Sequence, residues 1–160
     1  MQTFLPYKNI KESLKCLDNA RLKNQRTEAL ELITSMTTDK GWKYHPCYKL
    51  WENNIDALKY YYNNSVITWA ERIGENYHKD MLLEIIDPLF NMPIWLGNKR
   101  LHASHRSNLL RKKPDFYKHY EWKEPHDLPY YWYGYAKSDQ QTNLFITEEE
   151  EWEEKVKNQK

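Results

Sequence analysis

Glycine and proline are scarce: four and seven in 160 residues, too few for the tight turns of a sheet-rich fold, so long helices are expected. Cysteine is nearly absent. Cys16 and Cys47 lack zinc-finger spacing and fall in helix-like sequence, which leaves them as reduced, partly buried thiols. No apolar run is long enough to cross a bilayer, and residues 1–9 hold no signal-peptide core, so a cytoplasmic protein without a membrane partner is expected. Glycine-rich phosphate loops and nucleophile elbows are missing as well, which removes the common nucleotide-binding and serine-hydrolase classes. Net charge is only +1.

That near-neutral balance hides an asymmetry. Residues 1–120 carry 19 basic and 13 acidic side chains, and residues 121–160 carry 5 and 10. A chain divided in this way retains a surface for a polyanion. Aromatic residues make up 15 %, with 13 Tyr and 7 Trp, and most of these are expected in the core.

Three main helices can be read from periodicity. Ile10, Leu14, Leu17, Leu22, Ala29, Ile33 and Met36 place one helix over residues 10–36. Trp51, Ile55, Leu58, Tyr62, Val66, Trp69 and Ile73 recur every three or four residues, from a start at Pro46 to a stop at Gly74. A third helix runs from Lys99 to about Lys113 and ends at Pro114. An irregular aromatic run, Phe116 to Tyr135, follows it. The expected organisation is a single all-α domain over residues 1–135 and an acidic tail over 136–160, with six Glu between Glu148 and Glu154.

Two polar constellations stand out. Asp18, Arg21, Gln25 and Glu28 are spaced three, four and three apart, one helix face, which by periodicity alone reads as an exposed face with local ion pairs. The segment from Lys99 to Lys118 holds seven Lys/Arg against one acid, Asp115, with His102 and His105 among them; such density suits phosphate contacts. The two histidines have no nearby carboxylate, so neither a metal nor a cofactor is expected.

The run from Ser104 to Tyr120, with its Pro-Asp-Phe-Tyr-Lys-His-Tyr end, resembles the C-terminal third of the phage-type endonuclease V, or pyrimidine-dimer DNA glycosylase, family. The segment from Leu17 to Leu30 looks like that family's first helix, and the helix introduced by His45-Pro46 fits its middle one. The resemblance covers roughly residues 1–122. It implies a monomer that acts on double-stranded DNA and removes a damaged or modified pyrimidine through an imine formed by the N-terminal α-amine, with AP-lyase activity following by β-elimination. An α-amine suits this role because its pKa of about 8 leaves more of it neutral at pH 7 than a lysine of about 10. Glu28 falls at the family's catalytic carboxylate.

The family usually opens Met-Thr-Arg and loses the Met; this chain opens Met1-Gln2-Thr3. Aligning Leu5 on the family's first apolar residues makes Met1 the amine, and Gln2 takes its place if Met1 is removed. Arg21, Gln25 and Arg26 are then expected to meet DNA near the lesion, and His105, Arg106, Arg111, Lys112, Lys113 and Lys118 to hold phosphates. Arg21 and Thr27 stand where the family has His and Arg, which leaves the identity of the base open. Two other classes compete: a non-catalytic nucleic-acid-binding module of the same fold, and a helical protein–protein adaptor with the Tyr/Trp-rich end as its interface.

Overall fold

The long helix expected over residues 10–36 is broken in two. In this computed structural model, which describes residues 1–76 and 79–133, α1 spans Ile10–Cys16 and α2 spans Asn19–Thr38. The cause is local. Asp18 is extended, and its Oδ1 accepts the N–H groups of Ala20 and Arg21 at 3.0 and 3.3 Å, starting a new helix instead of continuing the old one. Arg72 fills the break by donating to the Leu17 and Lys15 carbonyls at 2.5 and 2.8 Å.

The second expected helix also divides, into α3 (Pro46–Trp51) and α4 (Ile55–Ile73). Its start at Pro46 and its stop at Gly74 stand as read: Gly74 takes the left-handed conformation (φ 71°) that a side chain disfavours. After a 3₁₀ turn at Lys79–Met81, the third expected helix is α5 (Lys99–Lys112), capped by Asn98. A short α6 (Pro114–Tyr117) and a 3₁₀ turn at Lys118–Tyr120 follow. The fold is all-α, without a strand among the described residues, and α2, α4 and α5 are its three long helices.

The chain forms two compact units, Met1–Gly97 and a second that begins at Asn98. In the first, α2 and α4 pack together and α1 also meets α4. Leu22, Ala29 and Leu32 of α2 and Leu58, Tyr61 and Val66 of α4 are buried, with Leu5, Leu14 and Leu17. Trp51 meets Trp95 edge-on at 4.8 Å, and the Trp95 indole N–H donates to the Leu50 carbonyl at 2.8 Å. The stripe read on the second helix holds at Trp51, Leu58, Tyr62 and Val66, but Ile73 is exposed.

In the second unit α5 is buried at nearly every position, Arg106 being its main interior exception. Its Ser107 accepts the Leu128 N–H at 3.0 Å, Ser104 accepts the Tyr131 N–H at 3.1 Å, and Asn108 donates to the Leu128 carbonyl at 3.2 Å. Small polar side chains thus fasten the irregular segment after residue 121 to the helix. The aromatic run does not fill a core as expected: Tyr117 is fully buried, whereas Tyr120 and Trp122 are half-buried and stack at 4.9 Å. Tyr135 and the acidic tail lie outside the described residues.

Candidate active site

Gln25 is the structural key to the first unit. It sits in the buried α2 series Leu22, Gln25, Ala29, Leu32, so it occupies a core position and not the exposed face expected for it. A buried amide must find partners. Gln25 Oε1 accepts the Phe4 N–H at 2.8 Å and lies 2.5 Å from the Tyr61 hydroxyl, while its Nε2 donates to the Arg21 carbonyl at 3.3 Å. Tyr61 also donates to the Phe4 carbonyl at 3.0 Å. Both main-chain polar groups of Phe4 are therefore held, which fixes the amino-terminal segment against α2. Thr3 secures it from the other side: its Oγ1 accepts the Trp51 indole N–H at 2.9 Å and lies 3.6 Å from Cys47 Sγ.

This docking brings the start of the chain to Glu28. The N–H of Gln2 donates to Glu28 Oε2 at 2.5 Å, with Gln2 buried and both Met1 and Glu28 half-buried. Glu28 lies one helical turn after Gln25, so the residue that anchors Phe4 also sets the height at which Gln2 meets the carboxylate. Asp18, the first member of the expected face, is a buried cap whose Oδ2 pairs with Arg21 at 2.9 Å.

The surroundings are desolvated. Burial pushes the Cys47 thiol up to about 11 and the Cys16 thiol up to about 12, so both stay protonated and inert. Burial, with the nearby Glu28 charge adding to it, holds the Tyr61 phenol well above its usual range. His45 caps α3 by accepting the Cys47 N–H at Nδ1, 3.1 Å away. Burial and the positive charge of the amino terminus lower its pKa from 6.5. Thr3, His45, Cys47 and Tyr61 were not singled out as site residues in the sequence; His45 had a local signal, a capping-capable side chain directly before Pro46.

A cleft of about 500 Å³ runs along α2, with Arg26, Leu30, Trp42, Val66 and Met81 among its walls. The Arg26 guanidinium lies 5.5 Å from the Trp69 ring centre, and its Nε is buried without a hydrogen-bond partner.

The basic residues of the second unit separate into two groups. His105 is fully buried and edge-on to Tyr130 at 5.9 Å, so it has no surface to offer a phosphate. Arg106 is held by Glu124 at 2.6 Å. Arg111, Lys112, Lys113 and Lys118 are exposed; Arg111 also bonds the Asn108 side chain, Lys113 lies 5.4 Å over Phe116, and Lys118 stands 3.6 Å from Asp115. No cluster of metal-ligating side chains occurs among the described residues.

An all-α fold that presses the main chain of residue 2 onto a half-buried carboxylate defines a class: helical proteins whose candidate acid–base group lies at their own amino terminus. The particular family follows from comparison. The profile of the pyrimidine dimer DNA glycosylase family matches residues 1–84, just over half of the chain, and the chain belongs to that family. The matched part contains Gln2, Gln25, Glu28 and His45. Membership carries a DNA glycosylase kind of function and DNA as the substrate. None of the curated proteins and none of the solved structures gives a significant match. No helix among the described residues is long and apolar enough to cross a membrane.

Proposed function

We propose that the protein releases a damaged pyrimidine from duplex DNA through an imine to its own α-amine, and then cleaves the strand by β-elimination. The observation that supports this reading most directly is the 2.5 Å contact between the nitrogen of Gln2 and Glu28. If Met1 is removed, that nitrogen becomes the α-amine, already beside a carboxylate. The geometry therefore favours Gln2 over Met1 as the residue that reacts.

The chemistry follows from the pair. Glu28 takes a proton from the ammonium group and frees a lone pair. The nitrogen attacks C1′, the glycosidic bond breaks, and its electron pair leaves with the base. The attached nitrogen gives its second proton to solvent; the ring oxygen then leaves C1′ with the proton held by Glu28, and the regenerated carboxylate stabilises the positive charge of the protonated imine. Removal of a C2′ proton then expels the 3′ phosphate. The cleft along α2, walled in part by Arg26 and Thr27 just before Glu28 on that helix, offers room for an extruded base, with Trp42 and Leu30 as apolar walls and Arg26 as donor. Arg111, Lys112, Lys113 and Lys118 are the groups available for phosphates; Gln25 and His105 are buried, and Arg106 is engaged by Glu124, so these three leave the proposed contact set. Arg21, paired with Asp18, retains partial exposure.

Borohydride trapping tests the reading, with tag-free protein of known intact mass on ultraviolet-irradiated and on abasic duplex DNA. The expected result is an adduct whose DNA is joined to the first residue, and a loss of about 100-fold or more in its rate of formation for Glu28→Gln. A protein with a free amine that forms no adduct on either DNA is a binding module instead.

A further inference from the structure

Tyr44 is the most exposed aromatic side chain among the described residues, at 84 % against 43 % for Trp42 and 38 % for Tyr133. A built turn puts it there. The His45 N–H donates to the Trp42 carbonyl at 2.8 Å, which closes a turn with Lys43 and Tyr44 at its corner. The Trp42 N–H donates to the Ser35 hydroxyl at 3.2 Å, and that hydroxyl donates to the Glu31 carbonyl at 2.8 Å, so the turn is tied to α2. Gly41 permits the close approach: its φ is 86°, and a Cβ there would lie 2.9 Å from Ser35 Oγ. On the other side Pro46 starts α3. A ring carried by a turn fastened at both ends has little backbone freedom left to lose when a partner stacks on it.

The neighbours of Tyr44 show which part of the molecule it belongs to. Trp42, two residues before, lines the cleft along α2 together with Lys40, Arg26 and Thr27. His45, directly after, lies near enough to the amino terminus for that positive charge to act on its ring. The turn thus lies in the same region as the cleft wall and the amino-terminal end of the chain. Lys40 is exposed, and Lys43 pairs with Asp39 at 2.6 Å. Ammonium groups interleaved with aromatic rings suit nucleic acid, the former for phosphates and the latter for the faces of bases.

We infer that Tyr44 enters the duplex: its ring fills the gap that an extruded base leaves and stacks on the base that flanks it. This rests on the base extrusion contained in the glycosylase reading above. Extrusion strips the neighbouring bases of a stacking partner and opens their faces to water. A ring in the gap covers those faces again and keeps the extruded base from returning. The division of labour follows from exposure. Trp42 is held edge-on to His45 at 5.6 Å and walls the cleft, while Tyr44 stands out into solvent. An intact stack has no gap, so the ring adds affinity only where a base is missing from the stack.

Tyr44→Ala and Tyr44→Phe test this in the full chain. Affinity is measured by fluorescence anisotropy at one salt concentration for two duplexes of the same sequence, one intact and one with a tetrahydrofuran abasic analogue, which offers the gap and cannot form an imine. Wild-type protein is expected to prefer the gapped duplex. Tyr44→Ala is expected to lose about 10-fold or more on that duplex and nothing on the intact one, and Tyr44→Phe to keep the wild-type preference. Equal losses on both duplexes overturn the inference in favour of a general backbone contact. No loss on the gapped duplex, or a loss that Phe does not restore, overturns it as well, as does a wild-type protein without preference for the gap. Borohydride trapping reads the glycosylase chemistry separately: gap-selective binding that depends on the Tyr44 ring, in a protein that forms no adduct, upholds the stacking contact and removes the catalysis.

Discussion

Gln25 shows how one side chain couples stability to the site. It occupies the place of a leucine in the α2 stripe, and its oxygen satisfies the Phe4 N–H in a region closed to water. Gln25→Leu retains the volume and removes the acceptor. An unpaired buried N–H costs about 1–3 kcal/mol, so denaturant unfolding is expected to show a loss of that size. Imine formation is expected to fall as well, because the strand that presents Gln2 to Glu28 is loosened at Phe4. His45 gives a pH signature. Its folded-state pKa lies below the ordinary 6.5, so the folded protein binds this proton less tightly than the unfolded chain does. Its contribution is therefore complete above 6.5 and is lost as the pH falls through the folded value. Thermal melting between neutral and mildly acidic pH is expected to fall less steeply in His45→Asn than in the wild type.

Among the elements, the break between α1 and α2 has the clearest cause. Asp18 stops one helix and starts another, and its other oxygen pairs with Arg21. Asp18→Ala is expected to destabilise by about 1–2 kcal/mol, the usual cost of a lost N-cap, measured by denaturant unfolding at neutral pH. The expectation of one helix over residues 10–36 failed here for a physical reason. Apolar periodicity runs on through Leu14, Leu17 and Leu22 because both helices bury the same side, while the interruption is carried by one capping carboxylate. The same holds between Trp51 and Ile55, where the stripe continues across residues 52–54 although the helix does not. By contrast, Pro46, Gly74 and Pro114 mark boundaries through their own backbone preferences, and these were legible one residue at a time.

For the molecule as a whole, the charge asymmetry bears on DNA affinity. Lys112 and Lys113 are exposed at the end of α5, with the Lys113 ammonium 5.4 Å from the Phe116 ring centre. Each phosphate contact releases counterions and adds about 0.9 to the slope of log affinity against log salt. Lys112→Ala with Lys113→Ala is expected to weaken binding and to flatten that slope by about 2 units, with no change in melting temperature. A salt titration of duplex binding by fluorescence anisotropy reads both effects.

The sequence by itself determined the helical class, the start at Pro46 and the stop at Gly74, and, through resemblance, the family. These depend on residue type and on periods of three or four residues, which act over a single turn. Only the tertiary structure decided that Gln25 is a core residue, that His105 is buried, and that the nitrogen of Gln2 lies on Glu28. The Phe4–Gln25 and Gln2–Glu28 bonds join positions 21 and 26 residues apart, and His105 is enclosed by packing around α5. Such pairings are set by where the chain returns in space, which no local spacing encodes.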